Sequence, residues 1–170
     1  MRLFSIALLL AIAIAASRSE AAPPEPPTVP YWHVWTDNNG VSHQTRCDLH
    51  DFVMKTLEPP AAPSWQDYMK IRGADVLVSV LPVGWVGLWH ENPKPQWIIP
   101  LSGRWFVETT DHKRVEMGPG EISFGEDQNT RPTDQGLKGH LSGAVGNTPV
   151  VLMVVQMASS PTVNEPCHLK

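Results

Sequence analysis

Residues 87–103 read "GLWHENPKPQWIIPLSG", and three side chains in that stretch can do chemistry together. His90 offers an imidazole nitrogen, while Asn92 and Gln96 offer amide oxygens. In a strand, residues at even separations share a face, so His90 and Asn92 are expected to project together. Gln96 joins them if Pro93-Lys94-Pro95 does not disturb the register. Imidazole and amide oxygen suit a divalent ion such as Fe, Mn, Ni or Zn, with positions left open for water or substrate. The competing reading is a polar pocket that holds no ion, because an amide in place of a carboxylate removes a negative charge and weakens the hold on a hard cation. Glu91 has the opposite parity and is expected to be solvated. Glu126 and Asp127 close a later strand-like run. A partly desolvated carboxylate there could serve as a general base, with Asp127 preferred, or the pair could simply order the polar loop that follows.

The elements that must position these groups are strands. Seventeen prolines, twelve glycines and seven tryptophans in 170 residues argue against a helical bundle and for a β-rich chain with many turns. One domain with its own core fits this length. The N-terminal run "MRLFSIALLLAIAIAAS" has a charged start, an apolar stretch and small residues, the pattern of a secretory signal over residues 1–17, or 1–21 with the later cut. A proline-rich linker, 18–30, follows. Residues 31–73 hold a hairpin around Asp37-Asn38-Asn39-Gly40 and a connecting segment in which "DLHDFVMKTLE" suggests a short helix. From Ala74 to Met157 come "DVLVSVL", "WVGLWH", "QWIIPL", "RWFVETT", "KRVEM", "EISFG", "GHLSGAVG" and "PVVLMVVQM", short runs split by turns, as in an antiparallel sandwich or barrel. Residues 158–170 read as a loose tail. Cys47 and Cys167 are the only cysteines; in a secreted chain they suggest one disulfide, the alternative being two free thiols. The formal charge of −4 and the lack of a basic run argue against nucleic-acid binding. No later stretch is apolar for long enough to span a membrane.

Gly84, His90, Asn92, Gln96 and Gly103 are spaced so that the chain resembles the first motif of the cupin superfamily. That motif carries a second histidine where this chain has Asn92 and a glutamate where it has Gln96. "GPGE" at residues 118–121 is similar to the turn that opens the second motif, and His140 then stands for its histidine if part of "EDQNTRPTDQGLKG" is an insertion. The resemblance implies a cupin-type antiparallel β-barrel, or jelly roll, over residues 74–157. It also implies a metal held by His90, Gln96 and His140, with Asn92 as a fourth candidate ligand. The activity implied is metal-dependent conversion of a small organic molecule, by oxidation or isomerisation, with Asp127 or Glu126 moving protons. A non-catalytic ligand-binding cupin is the alternative, and a homodimer formed by strand exchange is a further expectation. Trp85, Trp89, Trp97 and Trp105 are expected mostly in barrel packing, and His112 at a turn tip. His33, His43, His50 and His168 are expected at the surface or in hydrogen bonds outside the site.

Overall fold

The computed structural model describes residues 25–67, 69 and 73–169. The signal-like run and the first part of the proline-rich linker lie outside the described residues. The fold is all-β, with 47% of it in strands and no helix among the described residues. In chain order the strands are β1 (Val29–Thr36), β2 (Ser42–Leu49), β3 (Val53–Lys55), β4 (Ser64–Gln66), β5 (Ala74–Leu81), β6 (Gln96–Ser102), β7 (Arg104–Thr109), β8 (Arg114–Met117), β9 (Ser123–Gly125), β10 (His140–Val145) and β11 (Val150–Met157).

Six of them form one sheet in the order β2-β1-β9-β6-β11-β5, three form a second in the order β10-β7-β8, and β3-β4 make a small ribbon. The hairpin at Asp37–Gly40 forms as expected. Asp37 Oδ1 accepts the backbone N–H groups of Asn39 and Val41, and Gly40 takes φ 82°. The expected fully antiparallel barrel is corrected in two respects. The sheets face each other without closing, an arrangement consistent with a sandwich or jelly roll. In addition, β1 pairs with β9 in parallel, because the N-terminal hairpin adds to one side of the large sheet, with β2 at the edge and β1 against β9.

Two further expectations are overturned. The helix expected within 48–58 is absent: Asp48 and Leu49 continue β2, Leu49 is buried, and Val53–Lys55 pairs with Ser64–Gln66. Burying the apolar side chain on a strand already in place outweighs the weak helix propensity of so short a segment. "WVGLWH" is not a continuous strand but touches β10 through two isolated bridges, Val86 with Gly143 and His90 with His140.

Alternation along the strands of the large sheet gives it two unlike faces. Facing the small sheet, Val34, Ile98, Leu152 and Val154 pack against Trp105, Val107, Val115 and Met117. On the outer face, Tyr31, Cys47, Leu49, Trp97 and Phe124 form a second cluster, covered by residues from the 50–73 segment and the C-terminal tail. The tail is therefore not loose. Cys167 is bonded to Cys47, Asn164 N–H donates to Thr36 O, and Tyr31 Oη donates to Leu169 O. The disulfide closes a sequence separation of 120 residues, and it is compatible with an extracellular protein. Among the described residues no helix is long and apolar enough to cross a membrane.

Candidate functional site

His90 precedes β6 and His140 opens β10, and an antiparallel bridge joins them. Each backbone N–H donates to the other's carbonyl, at 3.0 and 2.8 Å. Gly139 makes this approach possible: a Cβ there would sit 2.1 Å from the His90 carbonyl oxygen, at φ +73°. The two imidazole centroids lie 4.6 Å apart. Both rings line a cavity of about 190 Å³ between the sheets, together with Asn92, Gln96, Trp105 and Gln156.

The hydrogen bonds determine which nitrogen of each ring is available. His90 Nδ1 lies 2.7 Å from the Leu88 carbonyl oxygen, which can only accept, so this nitrogen carries the proton. His140 Nδ1 lies 2.7 Å from Asp127 Oδ2, an ion-pair geometry that places the proton on the same nitrogen. The Nε2 of each ring has no protein partner among the described residues and retains a lone pair in the neutral ring. A carboxylate behind a histidine is the arrangement that orients metal-ligating imidazoles and fixes their tautomer.

Asp127 is fully buried. Burial raises its carboxyl, but the facing His140 and hydrogen bonds from His140 and Asn92 outweigh that effect and hold it below the usual carboxylate range. Asn92 donates to Asp127 Oδ1 from its backbone N–H at 2.9 Å and from Nδ2 at 2.7 Å. Gln96 Nε2 donates to Asn92 Oδ1, and Gln156 Nε2 donates to Gln96 Oε1. A directed chain thus runs from Gln156 through Gln96 and Asn92 to Asp127, which His140 meets from the other side. Gly125 leaves room for Asn92, since a Cβ at that position would lie 2.4 Å from Asn92 Nδ2. The amide oxygens of Asn92 and Gln96 each accept one bond and have a second lone pair. The buried Trp105 Nε1 has no hydrogen-bond partner, an arrangement that an oxygen of a bound molecule could satisfy.

Of the six residues expected at the site, the structure brings five together: His90, Asn92, Gln96, Asp127 and His140. Glu126 is directed elsewhere. One residue before Asp127, it lies on the outer face, where Oε1 meets His33 Nε2 at 2.9 Å, His168 Nε2 at 2.7 Å and Thr162 Oγ1 at 2.6 Å, and Oε2 meets Thr162 N at 3.0 Å. Glu91 is tied to the long polar loop. Its Oε1 accepts from Thr130 N and Oγ1, and its Oε2 pairs with Lys138 at 2.9 Å. His112 sits at a turn with φ 64°, as expected.

His33 and His168, expected only at the surface or in hydrogen bonds outside the site, are hydrogen-bonded with Glu126 in a group of their own. With Glu126 they offer three ligand atoms within 4.8 Å of one another. The hydrogen bonds favour a proton there over an ion. Cys167 N–H donates to His33 Nδ1 at 3.1 Å, so His33 carries its proton on Nε2, facing Glu126. Burial keeps the His33 ring below its ordinary pKa, against the pull of Glu126. For Glu126, burial pushes the carboxyl up, yet hydrogen bonds from His33 and Thr162 bring it down from 4.5 to about 2. The signal that could have found this group is the parity of β1, where Tyr31 and His33 share a face with the apolar cluster.

Compared with known proteins, the chain matches no family model and no curated protein.

Proposed function

We propose that this chain is a secreted cupin-type protein that binds a divalent transition metal between its two sheets and acts there on a small organic molecule. The observation that supports this most is the pair of free Nε2 atoms on His90 and His140, each with its Nδ1–H held by an acceptor. Gln96 Oε1 is the third ligand in this reading, through its second lone pair, and Asn92 is the fourth candidate. Bound there, Fe, Mn, Ni or Zn would supply a Lewis acid with open positions for an oxygen of the substrate or for O₂. Asp127 keeps His140 in its Nε2-basic tautomer. Trp105 Nε1–H orients an oxygen of the bound molecule, and Ile98, Leu152 and Val154 keep bulk water from the inner end. Oxidation and isomerisation are the two reaction classes that this equipment suits.

The engagement of Gln96 and Asn92 with each other favours a second reading, a ligand-binding module in which the histidines and Trp105 hydrogen-bond a small molecule without turnover. Metal analysis of protein purified without chelator separates the two. The metal reading expects one transition ion per chain and a rise in melting temperature on adding it to stripped protein, both lost in His90→Ala and His140→Ala. Absence of metal together with an unchanged melting temperature would leave the second reading.

A further inference from the structure

A second cavity is larger than the one between the sheets. It lies on the outer face of the large sheet, measures about 610 Å³ and is partly open. Trp97 and Phe124 from the sheet lie under its floor, only 6% and 1% exposed, and Met69, Met157 and Leu169 stand around them. The two rings lie 4.9 Å apart and tilted by 48°. The small part of Trp97 left open, with thioethers around it, suits a flat, polarisable guest. Glu126 and His168 stand at one end of the cavity.

The polar end restricts the guest further. Glu126 is an ionised carboxylate with four hydrogen bonds already made, so it repels an anionic head and has no need of a cationic one. His168 commits Nε2 to Glu126, whereas its Nδ1 has no protein partner among the described residues. That nitrogen can exchange one hydrogen bond with a neutral hydroxyl. We infer that this outer cavity binds a neutral aromatic alcohol, its ring on Trp97 and among the methionines and its hydroxyl on His168. The tail carries both His168 and Leu169, so the disulfide at Cys167 holds part of the wall in place.

The test uses the oxidised full chain and three probes of one shape: 1-naphthol, naphthalene and 1-naphthoate, titrated calorimetrically and followed by amide NMR shifts. 1-Naphthol is expected to bind about tenfold more tightly than naphthalene, the worth of one good hydrogen bond, and more tightly still than the anionic naphthoate. His168→Phe should erase the difference between naphthol and naphthalene while leaving the cavity apolar. Met157→Trp should abolish binding of all three probes, and Ser159→Trp, at an exposed position on the rim, does the same if the first variant fails to fold. Equal affinity for the three probes in the unaltered chain overturns the proposal. So does binding that survives a folded tryptophan variant, or naphthol shifts confined to His90 and His140.

Discussion

On the outer face of the large sheet a buried carboxylate meets two histidines, and on the inner face, one residue further along the chain, a buried carboxylate meets one. The chemical parts are nearly the same, but the uses differ. His33 has both ring nitrogens occupied, by Cys167 N–H and by Glu126, and is fully buried. His140 has one nitrogen held by Asp127 and the other facing a cavity it shares with His90. A histidine–carboxylate pair therefore does not identify a site by its residue types. What matters is whether a nitrogen is left over once the structure has made its hydrogen bonds. The outer cluster spends the acceptors of His33 and Glu126 on fastening the tail, and the inner one keeps lone pairs available.

The largest effect that would break this contrast lies on the outer face. Replacing Cys47 and Cys167 by serine should lower the unfolding free energy by about 4 kcal/mol, the scale for a long closed loop, as read by guanidinium denaturation. Hydrogen exchange should then quicken at the Thr162 and Cys167 amides and stay slow at Asn92. Equal quickening on both faces would show that the two sites are not independent.

Glu126→Gln comes next, at roughly 2–3 kcal/mol, because it weakens several buried hydrogen bonds at once. It also carries a pH signature. A carboxyl lowered from 4.5 to about 2 contributes stability that is complete above 4.5 and lost as pH falls toward 2. His33, lowered from 6.5, takes up its proton in the unfolded chain first, so stability should begin to fall below about 6.5. In the glutamine variant the part of the acid limb between 4.5 and 2 should flatten, which melting temperatures across that range would reveal.

Gly139→Ala acts on the inner face. A side chain at φ +73° in contact with the His90 carbonyl should lower stability by about 1–3 kcal/mol and pull His90 from His140. Any metal-induced rise in melting temperature should vanish with it. The smallest structural effect is expected of His90→Ala. His90 is exposed and only its Nδ1 is bonded, so the change in stability should stay within about 0.5 kcal/mol while metal or ligand binding is lost. A large loss of stability in this variant would mean that His90 is structural, like His33.

Much of the fold was legible because strand signals are local. The Asp37–Gly40 turn, the β-branched run of β11 and the paired cysteines each report on a few residues or on one simple pairing. The helix expected around Asp51 failed because the segment's fate was decided by Leu49 reaching the outer cluster and by Val53 finding Gln66, contacts that no window on the sequence contains. At the site, His90 and Asn92 were legible from spacing, whereas His140 depended on a resemblance and on skipping a long polar loop. The loop proves to be anchored by Glu91 and Thr130, and this brings Gly139 back against His90. The roles of Gln156 and Trp105 could not be read at all, since Gln156 arrives from a strand 60 residues from Gln96 and the unpartnered Trp105 Nε1 depends on what packs over it.

What the sequence determined by itself is most of the longer strands and their turns, the alternation of their side chains and the presence of two cysteines able to pair. These follow from local backbone preference and the two-residue period of a strand. Only the tertiary structure decided which face each alternate residue meets. It set β1 beside β9 in the large sheet, laid the tail across the outer face and sent Glu126 and Asp127 in opposite directions. The reason is that a period of two assigns neighbours to different sides but does not say what covers either side; that is settled by pairing between strands far apart in the chain.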